Sequence, residues 1–223
     1  MARRGSLSRR ALAEAVATAF LLAGVVGSGI MGERLAGGNV AITLLANSLA
    51  TGALLAVLIA AFGPLSGAHL NPVVTLAATF RGALPAGDGA VYAAAQCAGA
   101  LVGVAAAHTM FDLAPFTAGT HARSGSAQLA SEFVATLGLL FAILACASRA
   151  RDLPYLVGAY VAAAYWFTGS TAFANPAVTL ARAATDSFAG LRPADVPGFV
   201  AAQLAGGAAA VALWRTLAPG ERP

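Results

Sequence analysis

Not one lysine occurs among the 223 residues, and charged side chains of every kind make up only 10% of the chain. A soluble domain of this length carries about 25%, so an ordinary water-facing surface is excluded. The net charge of +4 therefore comes from arginine alone against nine acids, and in so apolar a chain it bears on topology before any nucleic-acid partner. No glycine motif that cradles phosphate is present, nor a stripe of basic and aromatic residues, and no nucleic-acid partner is expected. Only two cysteines occur, Cys97 and Cys146, far apart in separate apolar stretches; they read as packing residues, with no disulfide between them. His108 and His121 stand at a span end and in a loop with no metal-ligand partner near in sequence. No Ser-His-Asp, Cys-His or metal cluster converges, so neither an enzyme nor a cofactor or metal site is expected.

What the chain does have is apolar length. Hydrophobic residues make up 59% and the mean hydropathy is +0.77, which describes an integral membrane protein. Apolar spans run from about Ala11 to Met31, Asn39 to Phe62, Asp88 to Met110, Ala127 to Ser148 and Leu153 to Phe167, and a sixth follows the loop Asp186 to Pro197 and ends at about Leu217. A Gly63-Pro64 break closes the second. Ser8-Arg9-Arg10 before an apolar run invites a twin-arginine or cleaved-signal reading. A retained first span is preferred, because Glu14 within it belongs to an internal repeat.

That repeat is centred on two stretches. Ser66-Gly-Ala-His69-Leu-Asn71-Pro72-Val73-Val-Thr-Leu-Ala77 returns 104 residues later as Ser170-Thr-Ala172-Phe-Ala-Asn175-Pro176-Ala177-Val178-Thr-Leu-Ala181. Each reads as a helix start, since Asn caps well and Pro is preorganised for the first helical position. About ten helix-compatible residues follow each, to Phe80 and to about Ala184. At 1.5 Å per residue that is roughly 15 Å, half of a ~30 Å hydrocarbon core. Two half-helices can therefore meet near the midplane, their unpaired N–H groups and the Asn71 and Asn175 amides facing what lies between. Irregular backbone at that depth is tolerated where it lines a watery cavity or is buried in protein.

Two further landmarks match in the same order. Residues 13–22 around Glu14 resemble residues 131–140 around Glu132, and Tyr92-Ala-Ala-Ala-Gln96 resembles Phe199-Val-Ala-Ala-Gln203. Each copy, about 10–110 and 127–217, holds three full spans, so the second enters the membrane from the opposite side, and a solute path is expected at their interface. The expected fold is an all-α membrane protein of six transmembrane helices plus two re-entrant half-helices, one domain over 1–223. Nine arginines, including Arg3, Arg4 and Arg222, fall on the side of the termini; Arg34, Arg123, Arg182 and Arg192 fall on the other. Both termini should be cytoplasmic.

With two Asn-Pro half-helices, an inverted repeat and a Glu early in spans one and four, the whole chain resembles the aquaporin, or major intrinsic protein, family. The resemblance implies a homotetramer in the inner cell membrane, with one pore per subunit passing water or small neutral solutes passively. It implies that Asn71 and Asn175 donate hydrogen bonds to the solute, within the motifs Asn71-Pro72-Val73 and Asn175-Pro176-Ala177. It also implies that Glu14 and Glu132 brace the re-entrant loops, with His69 offering its backbone carbonyl to the pore. Gln96 and Gln203 read as interhelical glue.

Two departures stand out. Val73 replaces the family's usual Ala and adds bulk beside the half-helix tip. The filter arginine that usually follows the second motif is Val178, and ungapped counting puts the other filter positions at Thr51, Ala163 and Ala172. That ring is wider and less polar than in water-selective members, which opens the reading to glycerol, urea and neutral metalloids such as arsenite or methylated arsenicals. A bacterial subgroup associated with arsenic-resistance operons is similar in having Val there. Arg182, about 10 Å beyond Asn175 along the half-helix, is expected to snorkel near the outer surface rather than replace the filter arginine. The alternatives are an ordinary water-selective channel and an ion-coupled secondary transporter, since inverted repeats and broken helices also build the latter.

Overall fold

In the computed structural model, which describes residues 5–218, eight α-helices and one 3₁₀ turn make up the regular secondary structure of those residues. They are α1 (Leu7–Leu35), α2 (Val40–Ser66), α3 (Pro72–Phe80), α4 (Ala86–Met110), α5 (Ser126–Ala145), α6 (Leu153–Phe167), α7 (Pro176–Arg182) and α8 (Val196–Leu217). Arg3, Arg4 and Arg222 lie outside the described residues. The protein is a multi-pass membrane protein, and its helices follow from that solvent, because lipid offers no partner to an open backbone. Five of the spans are long and apolar enough to cross a bilayer on composition alone; α6, with 15 residues, is shorter. At 1.5 Å per residue α6 covers about 22 Å.

Span boundaries follow the sequence reading except at a few ends. The Gly63-Pro64 break does not form: α2 runs through Pro64 and stops at Ser66. Pro64 sits in the last turn, where its missing N–H forfeits a single ladder bond. The stop comes from Gly67 at φ 101°, whose N–H returns to the Gly63 carbonyl at 3.0 Å. At its other end α2 is capped by Asn39, which accepts from Ala41 and Ile42 N–H. Helix α5 closes at Ala145, three residues early, and α7 at Arg182 instead of about Ala184.

The repeat is visible in the packing. Helix α1 lies along α4 as α5 lies along α8, α2 meets α6 across the seam between halves, and α3 and α7 each rest against both α4 and α8. Close approach depends on missing side chains. A Cβ on Gly99 would land on the Ala15 carbonyl, and one on Gly206 on the Phe133 carbonyl, the equivalent contact of the second half. Large apolar side chains such as Leu12, Phe20, Val57 and Val102 face outward, while Glu14, Glu132, Gln96 and Gln203 are wholly buried. The polar chemistry is inside and the lipid-like chemistry outside, which turns attention to the interior.

Candidate functional site

Two loops enter the half-helices, and both are held in a costly conformation. Ala68 and Leu70 have φ of 48° and 51°, and Ala172 and Ala174, 104 residues on, have φ of 48° and 49°. Left-handed backbone costs an L-residue about 1–2 kcal/mol, so each loop needs outside support. In the first half the Glu14 carboxylate gives it. Oε1 accepts from the Ser66 hydroxyl at 2.5 Å and the His69 N–H at 3.0 Å, and Oε2 from the Leu70 N–H at 2.7 Å and the Gln96 amide at 2.8 Å. In the second half Glu132 accepts from the Phe173 and Ala174 N–H groups, each at 2.9 Å, and from the Gln203 amide at 2.6 Å. The glutamines also donate, to Thr75 and Thr179 respectively, tying each half-helix to α4 or α8. With N–H groups turned toward the carboxylates, neither carboxylate borders the central cavity.

The half-helix tips clasp each other. Asn71 Oδ1 caps its helix by accepting from the Val73 N–H at 2.9 Å, while its Nδ2 donates across to the Ala174 carbonyl at 2.7 Å. Asn175 mirrors this, accepting from Ala177 and Val178 N–H and donating to the Leu70 carbonyl at 2.8 Å. An amide nitrogen carries two donors, so each asparagine spends one on the clasp and keeps one for the cavity it borders. That cavity, of about 300 Å³, runs from Arg81 at one end past both asparagines to Arg182 at the other. Apart from the asparagines, the Asn-Pro motif residues stand behind its wall. Pro72, Val73, Pro176 and Ala177 do not line it, and the bulk of Val73 goes into the room left by Gly207 on α8. His69 borders the cavity, with Nδ1 3.1 Å from the Thr75 hydroxyl and its ring edge-on to Tyr92 at 5.5 Å.

Of the four expected ring positions, Thr51, Ala172 and Val178 lie on the cavity wall and Ala163 does not. Ala163 is exposed on the outer side of α6. Residues two apart on a helix point about 200° from each other, so Val161 and Tyr165 face inward instead. The ungapped count assumed no gap within span five, and the residues of α6 that border the cavity fall two positions to either side of the one it gave. Tyr165 thus supplies a hydroxyl, 3.2 Å from the Thr51 hydroxyl, where a methyl was expected.

Arg182 also departs from expectation. It does not snorkel: it is 1% exposed and borders the cavity. Helical side chains lean toward the N-terminus of their helix, so from the last residue of α7 this one folds back over the turn carrying Val178. Its guanidinium carbon lies 3.3 Å from the centre of the Phe173 ring, and Nε donates to the Ala189 carbonyl. Sequence reasoning also missed Arg123, in the loop before α5, which stands over the same ring at 5.3 Å and donates to the carbonyls of Gly190, Ser170 and Phe188. His108 was missed as a clamp; its ring nitrogens meet the Ala114 carbonyl at 2.6 Å and the Thr185 hydroxyl at 2.7 Å. The signal for Tyr165 was present in the sequence, since Val157, Val161 and Tyr165 recur every four residues and all line the cavity.

Comparison with known proteins follows the same outline. The family model described as major intrinsic protein matches residues 1–158. Aquaglyceroporin AqpS of Rhizobium meliloti (strain 1021) is 52% identical over 218 residues, which cover 97% of this chain and 93% of that protein. Aquaporin NIP1-3 of Oryza sativa subsp. japonica is 34% identical over 181 residues, 78% of this chain and 62% of that longer protein. Among solved structures, the X-ray structure of the aquaglyceroporin from Plasmodium falciparum superposes with a TM-score of 0.73 at 21% identity, covering 96% of each chain, a likeness of fold.

Proposed function

The chain belongs to the major intrinsic protein family, a family of membrane channels and not of enzymes, and on that premise we propose that it passes water and small uncharged solutes of glycerol type passively across the membrane. The observation that carries this reading is the cavity bordered by Asn71 and Asn175, which offers each passing oxygen atom one amide donor from each half. Helix N-termini and amide donors at the midplane favour oxygen acceptors and disfavour cations. Aquaglyceroporin AqpS, similar over nearly the full length, supports extending the solutes from water to polyols.

The finer reading assigns Asn71 and Asn175 as the central solute contacts, Glu14 and Glu132 as braces, and Thr51, Ala172 and Val178 with Tyr165 as the narrow ring. With Val178 in the position after the second motif, that ring takes solutes larger than water, and neutral metalloid acids such as arsenous acid belong to the same size and charge class. One channel unit occupies residues 1–223, assembled as a homotetramer, with both termini cytoplasmic and the Arg182 mouth outward. Among the described residues no carboxylate borders the cavity, which disfavours ion coupling.

Stopped-flow light scattering on proteoliposomes, with water, glycerol and urea compared and arsenite uptake alongside, tests the reading in wild type and Val178→Arg. Glycerol flux clearly above empty vesicles, and reduced by the new arginine, is expected. Fast water flux without any solute flux contradicts the wide ring.

A further inference from the structure

A cationic side chain buried at membrane depth is costly unless a partner or a watery cavity receives it. Arg182 is 1% exposed and has no acidic partner: the ion pairs among the described residues are Arg10 with Asp88 and Arg192 with Asp195. Its neighbour Arg123 is different, because Nε and both terminal nitrogens of Arg123 each reach a backbone carbonyl, which makes that guanidinium a fastener between loops. Arg182 fastens through Nε alone, to Ala189. Among the described residues no protein acceptor is hydrogen-bonded to its two terminal nitrogens, and the side chain borders the cavity. The Phe173 ring fixes the plane of the group from one side.

From this we infer that Arg182 is the charge-selecting residue of the channel: its free N–H donors bind the oxygen of an entering hydroxyl or carbonyl solute, and its fixed charge turns cations back. The inference rests on the channel reading above. Val178 is the companion of this arrangement. It lies one turn before Arg182 on the same face of α7, so a second arginine there would set two guanidinium groups against each other. A small apolar residue at 178 leaves the arginine of the following turn room to fold back over it. The chain therefore keeps a guanidinium in its constriction, delivered from position 182, with the aperture widened at 178.

The experiment compares wild type, Arg182→Met and Arg182→Lys in proteoliposomes, measuring methylammonium uptake beside glycerol flux. Met preserves length without charge, and Lys preserves charge without the planar fork. The Met variant is expected to raise methylammonium uptake by about tenfold or more, since a fixed charge within a few ångströms of the path sets a barrier of that order even at an effective dielectric constant near 20. The Lys variant should keep the block. Equal methylammonium exclusion in the Met variant, with glycerol flux retained, overturns the inference, as does equal leakage in both variants. Absence of glycerol flux in wild type would instead refute the channel reading itself. If neither variant reconstitutes, wild type answers alone: methylglyoxal modification of Arg182, read by mass spectrometry, should be slowed by glycerol. Modification indifferent to glycerol overturns the assignment.

Discussion

Replacing Glu14 by Gln changes one atom of a carboxylate that holds four donors, and the consequence can be worked through. If the new NH₂ takes the Oε2 place it faces the Leu70 N–H and the Gln96 amide; in the Oε1 place it faces the Ser66 hydroxyl and the His69 N–H. Ser66 can turn its hydroxyl round, but a backbone N–H cannot turn, so at least one of Leu70 and His69 is left buried and unpaired. An unsatisfied buried donor costs about 1–3 kcal/mol, and removing the charged member of a buried polar set typically costs about 3–5 kcal/mol in all. The loop then has less holding Ala68 and Leu70 at positive φ, and its carbonyls swing out of line with the cavity. Free thiols provide the assay: Cys146 is buried and Cys97 partly so, and a thiol-reactive fluorophore reports when heating exposes them. A loss of about 3 kcal/mol lowers Tm by roughly 6–12 °C in a protein of this size, and glycerol flux should fall with it. Glu132→Gln, with three donors instead of four, should sit at the lower end. A Glu14→Gln protein melting within a degree or two of wild type, with unchanged flux, would refute the bracing argument.

Three other perturbations separate the assignments. Phe introduced at Ala163 should leave glycerol flux unchanged, because that position faces outward, whereas Val161→Phe should reduce it severely; stopped-flow rates for the pair decide which face of α6 lines the path. Gly158→Ala drives a Cβ onto the Gly52 carbonyl across the α2–α6 seam, and overpacking of that kind costs about 1–3 kcal/mol, visible as a lowered Tm in the same thiol assay. Thr120 donates both hydroxyl and backbone N–H to Asp186, at 2.7 and 3.0 Å, which holds the carboxyl below its usual range. Because the folded pKa is depressed, this tie is at full strength above the ordinary carboxylate value near about 3.9 and is lost as pH falls through the lower folded value. Proteolysis within residues 112–125 should therefore quicken at strongly acid pH, and Asp186→Asn should show that quickening already at neutral pH.

What could be read from the sequence was what is local or repeated. The Asn-Pro caps at 71 and 175 place the starts of α3 and α7 to the residue, because capping is decided within a few positions. The bracing reading of Glu14 and Glu132 rested on recurrence, since a carboxylate beside each loop in both halves implies a common task, whereas the individual N–H and amide partners came only with the folded chain. Pro64 was misread because a breaker in the last turn of a helix looks the same in sequence as one that ends it. Ala163 was misplaced because the count assumed no gap within span five, and an offset of two residues turns a helical position to the opposite face. Arg182 was the largest miss. Its backbone position does lie at the far end of the half-helix, but the side chain returns over a turn, and what receives it, Phe173 and the Ala189 carbonyl, is set by tertiary folding.

The central claim, a passive path for neutral solutes, is tested most directly by glycerol flux in proteoliposomes with and without an imposed proton or sodium gradient. The account predicts the same rate in every case and internal glycerol that never exceeds the external concentration. Accumulation above that level, or a rate that follows the ion gradient, would contradict it and make the protein a coupled transporter.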